Sequence, residues 1–359
     1  LMQVVFKTSY DQDINILSKT GEYVRVGLVI LFMLVAPLFL EVYYLGELGL
    51  LLVYVIAGVG LMILTGFAGQ VSFGHAAFLG IGAYCHSILM TTGLPFIVSV
   101  IATVLLTGIV GMAIGRSASK MHGFYLAVAT LAFLIIVETV IGEWTALTGG
   151  YAGYVVPELE IFGFYFVETW HMYYLYLGFA LFVIWGTSNL LRSPTGRSFL
   201  AVRDSELSAR SLGVNVEWVK IQSFGISAAI TGLAGVLMAH YLAYLSPETF
   251  GVLESLKLLL MIVVGGLGSI TGAIFGAIFV TLLPVAISFL RDVLPGVIGQ
   301  QAGLEPMLFG LIIVIFIVFE PEGINGRWKK FLHFFETFPY YRKASFVRQK
   351  SYLKTERMR

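Results

Sequence analysis

Residues 66–75 read Gly-Phe-Ala-Gly-Gln-Val-Ser-Phe-Gly-His and lie between two long apolar stretches. Three glycines, an amide, a hydroxyl and an imidazole are out of place facing lipid, where each unsatisfied polar group costs several kcal/mol. Such a segment survives inside protein or beside a water-filled path. It predicts a polytopic membrane protein that moves a solute and whose helices are interrupted within the bilayer.

Composition agrees. Of 359 residues, 58% are hydrophobic and 12% charged, against roughly 45–50% and 25% in soluble domains. Mean hydropathy is +0.89. The net charge of +1, with no basic patch within the apolar chain, argues against nucleic acid as a partner. Cys85 is the sole cysteine, which excludes an intrachain disulfide and a cysteine-based metal site. The first residues do not read as a cleavable signal, since both charges are mixed between Lys7 and Arg25 and a full-length apolar run follows.

The fold class expected is an all-α transmembrane bundle of about ten spans, some short or broken. Apolar segments lie near 24–45, 48–65, 75–92, 96–116, 121–142, 172–191, 221–244, 253–266, 270–290 and 305–320, the eighth too short to cross alone. With the N-terminus in the cytoplasm, 20 of the 22 Lys and Arg residues fall on cytoplasmic segments, Lys257 and Arg291 being the exceptions. That asymmetry predicts both termini inside and an even number of spans. The expected division is a cytoplasmic segment 1–23, a transmembrane domain 24–326 and a basic cytoplasmic tail 327–359.

The outer loop 143–171 is either a plain surface loop or a small folded cap, with Leu-Thr-Gly-Gly-Tyr-Ala-Gly at 147–153 as turn chemistry. The inner loop 192–220 opens with Ser193-Pro194, a helix start. Asp204 or Ser205 is placed to cap a second short helix that Gly213 closes, with Leu207 and Leu212 as its expected buried contacts. A short amphipathic helix under the membrane suits a groove on a soluble partner; a packed surface helix is the plainer alternative.

Glycine numbers 40. Gly111 with Gly115, and Gly272 with Gly276, have the spacing that lets helices approach closely in lipid. Two clusters differ, at Gly66, Gly69 and Gly74 and at Gly265, Gly266, Gly268 and Gly272. Each interrupts an apolar stretch, the pattern of paired broken helices around a transport path. The candidate path residues are Gly66, Gly69, Gln70, Ser72, Gly74, His75, Gly265 and Gly268. The amides that open the helix at Gly74-His75 suit a carboxylate, with Gln70, Ser72 and His75 adding hydrogen bonds. Alternatively, those side chains only satisfy the backbone of the break.

No phosphate-binding loop, His-Glu-x2-His or Gly-x-Ser-x-Gly motif occurs, and the six histidines lack metal-ligand spacing. Glu138 and Lys257 read as snorkelling groups near outer span ends. With no run of buried acids, ion-driven transport is less attractive than transport driven by a separate energy-supplying protein.

The run Gly66-Phe-Ala-Gly-Gln-Val-Ser-Phe-Gly-His-Ala-Ala-Phe-Leu-Gly-Ile-Gly-Ala-Tyr84 resembles the signature of the branched-chain amino acid ABC importer permeases. So do Arg192 to Val216, Gly265 to Ala277, Leu147-Thr-Gly-Gly150 and Phe319-Glu-Pro-Glu-Gly-Ile-Asn-Gly326. The longer outer loop resembles the M-type subunit. The resemblance implies a multi-pass permease of a bacterial or archaeal cell (inner) membrane with no ATPase site and no cofactor of its own. Its expected partners are a homologous H-type permease, two cytoplasmic ATPase subunits that bind ATP and Mg, an extracytoplasmic solute-binding protein, and membrane lipid. The ATPase-coupling residues it implies are Arg203, Asp204, Glu206, Ser208, Ala209, Arg210 and Gly213; Leu207 stands where the general importer pattern has Glu. Urea or short-chain amides are the alternative cargo, and a stand-alone channel or ion-coupled carrier the more distant reading.

Overall fold

The computed structural model describes residues 20–121, 123–161, 163–293, 304–320 and 322–337. Residues 1–19 of the expected N-terminal segment, and the tail beyond 337, lie outside them.

Helices occupy all ten apolar segments. In chain order they are α1 (Thr20–Val35), α2 (Val42–Leu61, continued by a π turn Met62–Phe67), α3 (His75–Thr91), α4 (Phe96–Ala118), α5 (Phe124–Glu143) and the single turn α6 (Thr145–Thr148). Next come α7 (Thr169–Arg192), the loop helices α8 (Pro194–Asp204) and α9 (Glu206–Ser211), and α10 (Val216–Leu242). The chain continues with α11 (Val252–Gly265), α12 (Ile270–Val293), α13 (Leu304–Phe319) and α14 (Gly323–Thr337), the last running across the boundary expected at 326. Among the described residues six segments are long and apolar enough to cross a membrane: 42–67, 96–118, 124–143, 169–192, 216–242 and 270–287. The protein is an all-α polytopic bundle.

Two helices form its centre. The apolar window of α2 is 89% buried and that of α10 is 72% buried, whereas α4, α5 and α7 bury a third or less of theirs. α10 packs on α4, α3 and α2 together. An all-apolar helix can serve as buried core or as a lipid-facing wall, and this bundle uses both.

The contacts around α10 depend on missing side chains. A Cβ on Gly82 would lie 2.3 Å from the Gly232 carbonyl oxygen, and one on Gly235 would lie 2.1 Å from that of Leu79. The expected pairs pack likewise: a Cβ on Gly111 would meet Ala228 at 2.4 Å, and one on Gly276 would meet the Met261 carbonyl at 1.8 Å. The atom met is backbone at Gly82, Gly235 and Gly276 and a Cβ at Gly111, so a methyl group has nothing flexible to push aside.

The outer loop is a folded cap. Four two-residue strands appear in it and beside it: β1 (Tyr154–Val155), β2 (Glu160–Ile161), β3 (Phe164–Tyr165) and β4 (Tyr244–Leu245). β1 pairs antiparallel with β4, Tyr154 opposite Leu245, which ties the cap to the end of α10, and β2 pairs with β3. Leu159, Leu245 and Phe250 are buried beneath it. At the C-terminal end of α13, Arg327 donates to Glu320 at 2.7 Å.

Gly235→Val is expected to cost about 1–3 kcal/mol through overpacking, seen as a lower midpoint of heat-induced loss of the monodisperse peak in detergent. Gly178→Val, at a glycine with open space around it, should leave that midpoint near the parent value.

Candidate functional site

α2 does not end cleanly. Its last turn widens to i→i+5 bonding, with Ala68 N donating to the Ile63 carbonyl, and Gln70 N reaches back to Leu64. π turns of this kind recur at functional sites. The chain then runs without helix to His75. Gln70 Nε2 donates to Ser223 Oγ at 2.8 Å, and Thr65 Oγ1 donates to the Gln70 carbonyl at 3.1 Å. Phe73 N donates to Thr130 Oγ1 at 3.0 Å, and Ser255 donates its hydroxyl to the Phe73 carbonyl.

His75 is completely buried, with Ser227 Oγ 2.7 Å from Nε2 and Ser72 Oγ 3.0 Å from Nδ1. Ser227 spends its proton on the Gly60 carbonyl, 2.6 Å away. A hydroxyl has one proton, so Nε2 of His75 donates to Ser227 and Nδ1 accepts from Ser72. Ser72 Oγ in turn accepts from Gly74 N at 3.3 Å. The network assigns this tautomer and leaves both ring nitrogens occupied. Ser227 stands about eleven residues, roughly 16 Å, into α10, so α3 starts deep within the bundle.

The second break lies at Gly266–Ser269, between α11 and α12. Gly268 adopts φ +77°, which a side chain would strain. Ser269 Oγ accepts from Gly272 N at 3.0 Å and from Asn325 Nδ2 at 2.8 Å, while Thr271 donates to Asn325 Oδ1 at 2.8 Å. Gly265 packs on α12, where a Cβ would meet the Gly272 carbonyl at 1.9 Å.

The two breaks touch. A Cβ on Gly66 would lie 2.7 Å from Gly268 N, and Gly268 N itself lies 3.2 Å from Met62 Sδ. Arg203, at the end of α8, joins them: its Nη1 donates to the Gly66 carbonyl at 3.1 Å, its stem lies against Gly69, and Gly268 faces the same guanidinium. Asp204 Oδ1 accepts from Arg203 Nε and Nη2 at 3.1 and 3.0 Å and keeps the group aligned.

The inner loop folds as two short helices, α8 and α9, that pack on each other. Ser193 caps α8 through Gly196 N, and Ser205 caps α9 through Ser208 N. Gly213 closes α9 at φ +84°. Ala209 is buried against Phe199, Val202, Val216 and Val219. Glu206 meets Lys220 Nζ at 2.7 Å, and Lys220, only 3% exposed, also donates to the Ser119 carbonyl at 3.4 Å. Leu207 and Leu212, expected as buried contacts, are instead 82% and 81% exposed. A six-residue helix buries one side, and tiny Ala209 takes it, which turns Leu207 outward and leaves Leu212 on the rim.

Several partners of the breaks were not singled out by the sequence: Ser223, Thr130 and Ser255 read as isolated polar residues, and Ser227 and Asn325 stand in longer motifs that do not name their partners. The histidines also hide a pair, with His86 Nε2 2.9 Å from His240 Nε2 and Ser99 Oγ 2.7 Å from His86 Nδ1. Among the described residues no group of three or more His, Cys, Asp or Glu is arranged to hold a metal.

The family described as the branched-chain amino acid transport system permease component matches residues 43–318. The high-affinity branched-chain amino acid transport system permease protein LivM of Escherichia coli K12 is 32% identical over 300 residues, covering 77% of this chain and 68% of the relative. BraD, the corresponding permease protein of Pseudomonas aeruginosa, is 28% identical over 76% of this chain and 92% of its own. A probable LivM of the archaeon Methanocaldococcus jannaschii is 24% identical over 62% and 67%. No solved structure matches the chain. The family spans both breaks and the inner loop, and the chain is a member of the branched-chain amino acid transport system permease component family.

Proposed function

We propose that this chain is the M-type membrane subunit of an ATP-driven importer for branched-chain amino acids. It would cross the membrane about ten times with both termini in the cytoplasm, beside a homologous H-type permease. Two cytoplasmic ATPases would bind ATP and Mg and drive it, and an extracytoplasmic protein would deliver solute. The family membership supports the cargo. The observation that carries the mechanism is the Arg203 bond to Gly66, which links the inner loop to both breaks.

In this reading α9 is the docking element, and Leu207 and Leu212 are the apolar contacts it offers an ATPase. Asp204, Glu206, Ser208, Ala209, Arg210 and Gly213 shape and orient it. Movement of α8 and α9 passes through Arg203 to Gly66, Gly69 and Gly268, where two helices change direction. Gln70, Ser72, Gly74 and His75 act from within the wall, holding the first break to α10, and Gly265 holds the second against α12.

Reconstituted with its companion subunits, the importer should take up leucine, isoleucine and valine. A cognate binding protein that captures urea and ignores leucine would overturn the cargo. Leu207→Asp with Leu212→Asp should weaken ATPase co-purification by about tenfold or more, since burying a leucine is worth roughly 1.5–3 kcal/mol; unchanged recovery would exclude α9 as the dock. Arg203→Ala should leave ATPase recovery intact and lower leucine uptake per ATP hydrolysed by about tenfold, the scale of one charge-assisted bond.

A further inference from the structure

Helix α14 is amphipathic. Ile324, Trp328 and Phe331 recur at i, i+4 and i+7 and mark one apolar face, with Lys329 and Lys330 off it. Trp328, Phe331 and Phe334 are 44%, 52% and 40% exposed. Exposed aromatic rings on one face and basic residues on the other are the composition of a helix that lies in a membrane interface.

Its contacts fix where this helix lies. Gly323 turns the chain at φ +63°, and a Cβ there would lie 2.6 Å from Gly266 N. Asn325 then bonds Ser269 and Thr271 at the second break. The Trp328 ring meets Phe275 with centroids 5.8 Å apart, and Phe331 stacks on Trp328 at the same distance and 21°. Phe275 follows the start of α12 at Ile270 by five residues, about 7.5 Å of helix, and α12 is one of the membrane-crossing segments. The aromatic face is therefore held near the end of a span, the level at which amphipathic rings such as indole collect.

Charge identifies the occupant. Arg327 pairs with Glu320 and Lys330 with Glu322, at 2.7 and 2.8 Å, which ties α14 to the turn before it. Residues 320–337 hold three Lys or Arg and three Glu, so this stretch is balanced. The sequence that follows is not: residues 338–359 carry seven Lys or Arg against one Glu, interleaved with five aromatic residues. A basic cluster directly after an interfacial helix complements anionic headgroups and gains nothing comparable from zwitterionic ones.

We propose that α14 and the basic segment after it form a dock for anionic phospholipid in the inner leaflet. Trp328, Phe331 and Phe334 enter the acyl boundary, and Lys329 with the basic residues beyond 337 meets the phosphates. Asn325 anchors the dock to the second helix break. The choice of leaflet rests on the topology proposed above; the lipid chemistry does not.

The test reconstitutes the complete importer in phosphatidylcholine vesicles with a trace of diazirine-labelled phosphatidylglycerol or, in a parallel sample, diazirine-labelled phosphatidylcholine of the same chains. After photolysis, peptides from residues 323–359 should carry about tenfold more phosphatidylglycerol than phosphatidylcholine, and the excess should shrink with rising salt. Replacing Arg342, Lys343, Arg348 and Lys350 together by Gln should bring the two labels close to equality. Phe331→Ser with Phe334→Ser should lower both labels severalfold. Equal labelling of the wild-type segment, which needs no variant to fold, would overturn the dock, as would an excess that survives the four substitutions. Cross-linking of this segment to an ATPase subunit, with no phosphatidylglycerol excess, would assign the face to protein and overturn it too. Protease added outside sealed vesicles of known importer orientation reports the topology separately. Cleavage of the tail only from the cytoplasmic side supports the inner leaflet, and cleavage only from the other side overturns that topology and the leaflet while the labelling ratio still decides the lipid.

Discussion

A chain that leaves helical conformation inside a bilayer exposes amides and carbonyls that only protein can satisfy. The whole bundle is arranged around that debt of hydrogen bonds at residues 66–75. Helix α10 stands behind the first break and presents Ser223 and Ser227, one turn apart, to Gln70 and His75. Helix α5 supplies Thr130 and helix α11 supplies Ser255 to the same few residues. Three helices are held around one short segment by single hydroxyls. The glycine contacts of α3 and α4 with α10 allow the close approach those short side chains require.

This division of labour explains which parts of the molecule could be read from the sequence. The breaks announce themselves, because glycines and polar residues interrupt long apolar runs. The loop helices do so too, through Ser193-Pro194, Ser205 and Gly213. The partners do not. Ser227 and Thr130 sit in apolar helices, where a hydroxyl ordinarily bonds back to its own turn and carries no hint of a distant target. Asn325 was visible only as part of a longer motif, with nothing to say that it would lock Ser269 and Thr271. Leu207 and Leu212 were misread for a related reason: periodicity says which residues share a face, and in a helix of six residues one small neighbour decides which face is inside. The span count is hardest to read, since α1, α3, α11 and α13, apolar as they are, fall short of the length that marks the other six among the described residues.

Polar chemistry is thus distributed in two ways. At the breaks it is consumed internally, with His75 bonded at both nitrogens and the amides ahead of α3 committed to Ser72 and Thr130. Along the N-terminal half of α2 polar groups instead border cavities, lined among others by Glu47, Tyr54 and Lys257. The first arrangement gives the wall its shape.

Arg203 also fixes the mechanical character of the link between loop and bundle. Its guanidinium rests on backbone at Gly66 and beside Gly268, and its stem lies against Gly69; none of these three has a side chain that could bend. One loop residue is therefore shared by both helix breaks, and a change in where α8 holds Arg203 alters its contacts at Gly66, Gly69 and Gly268 together.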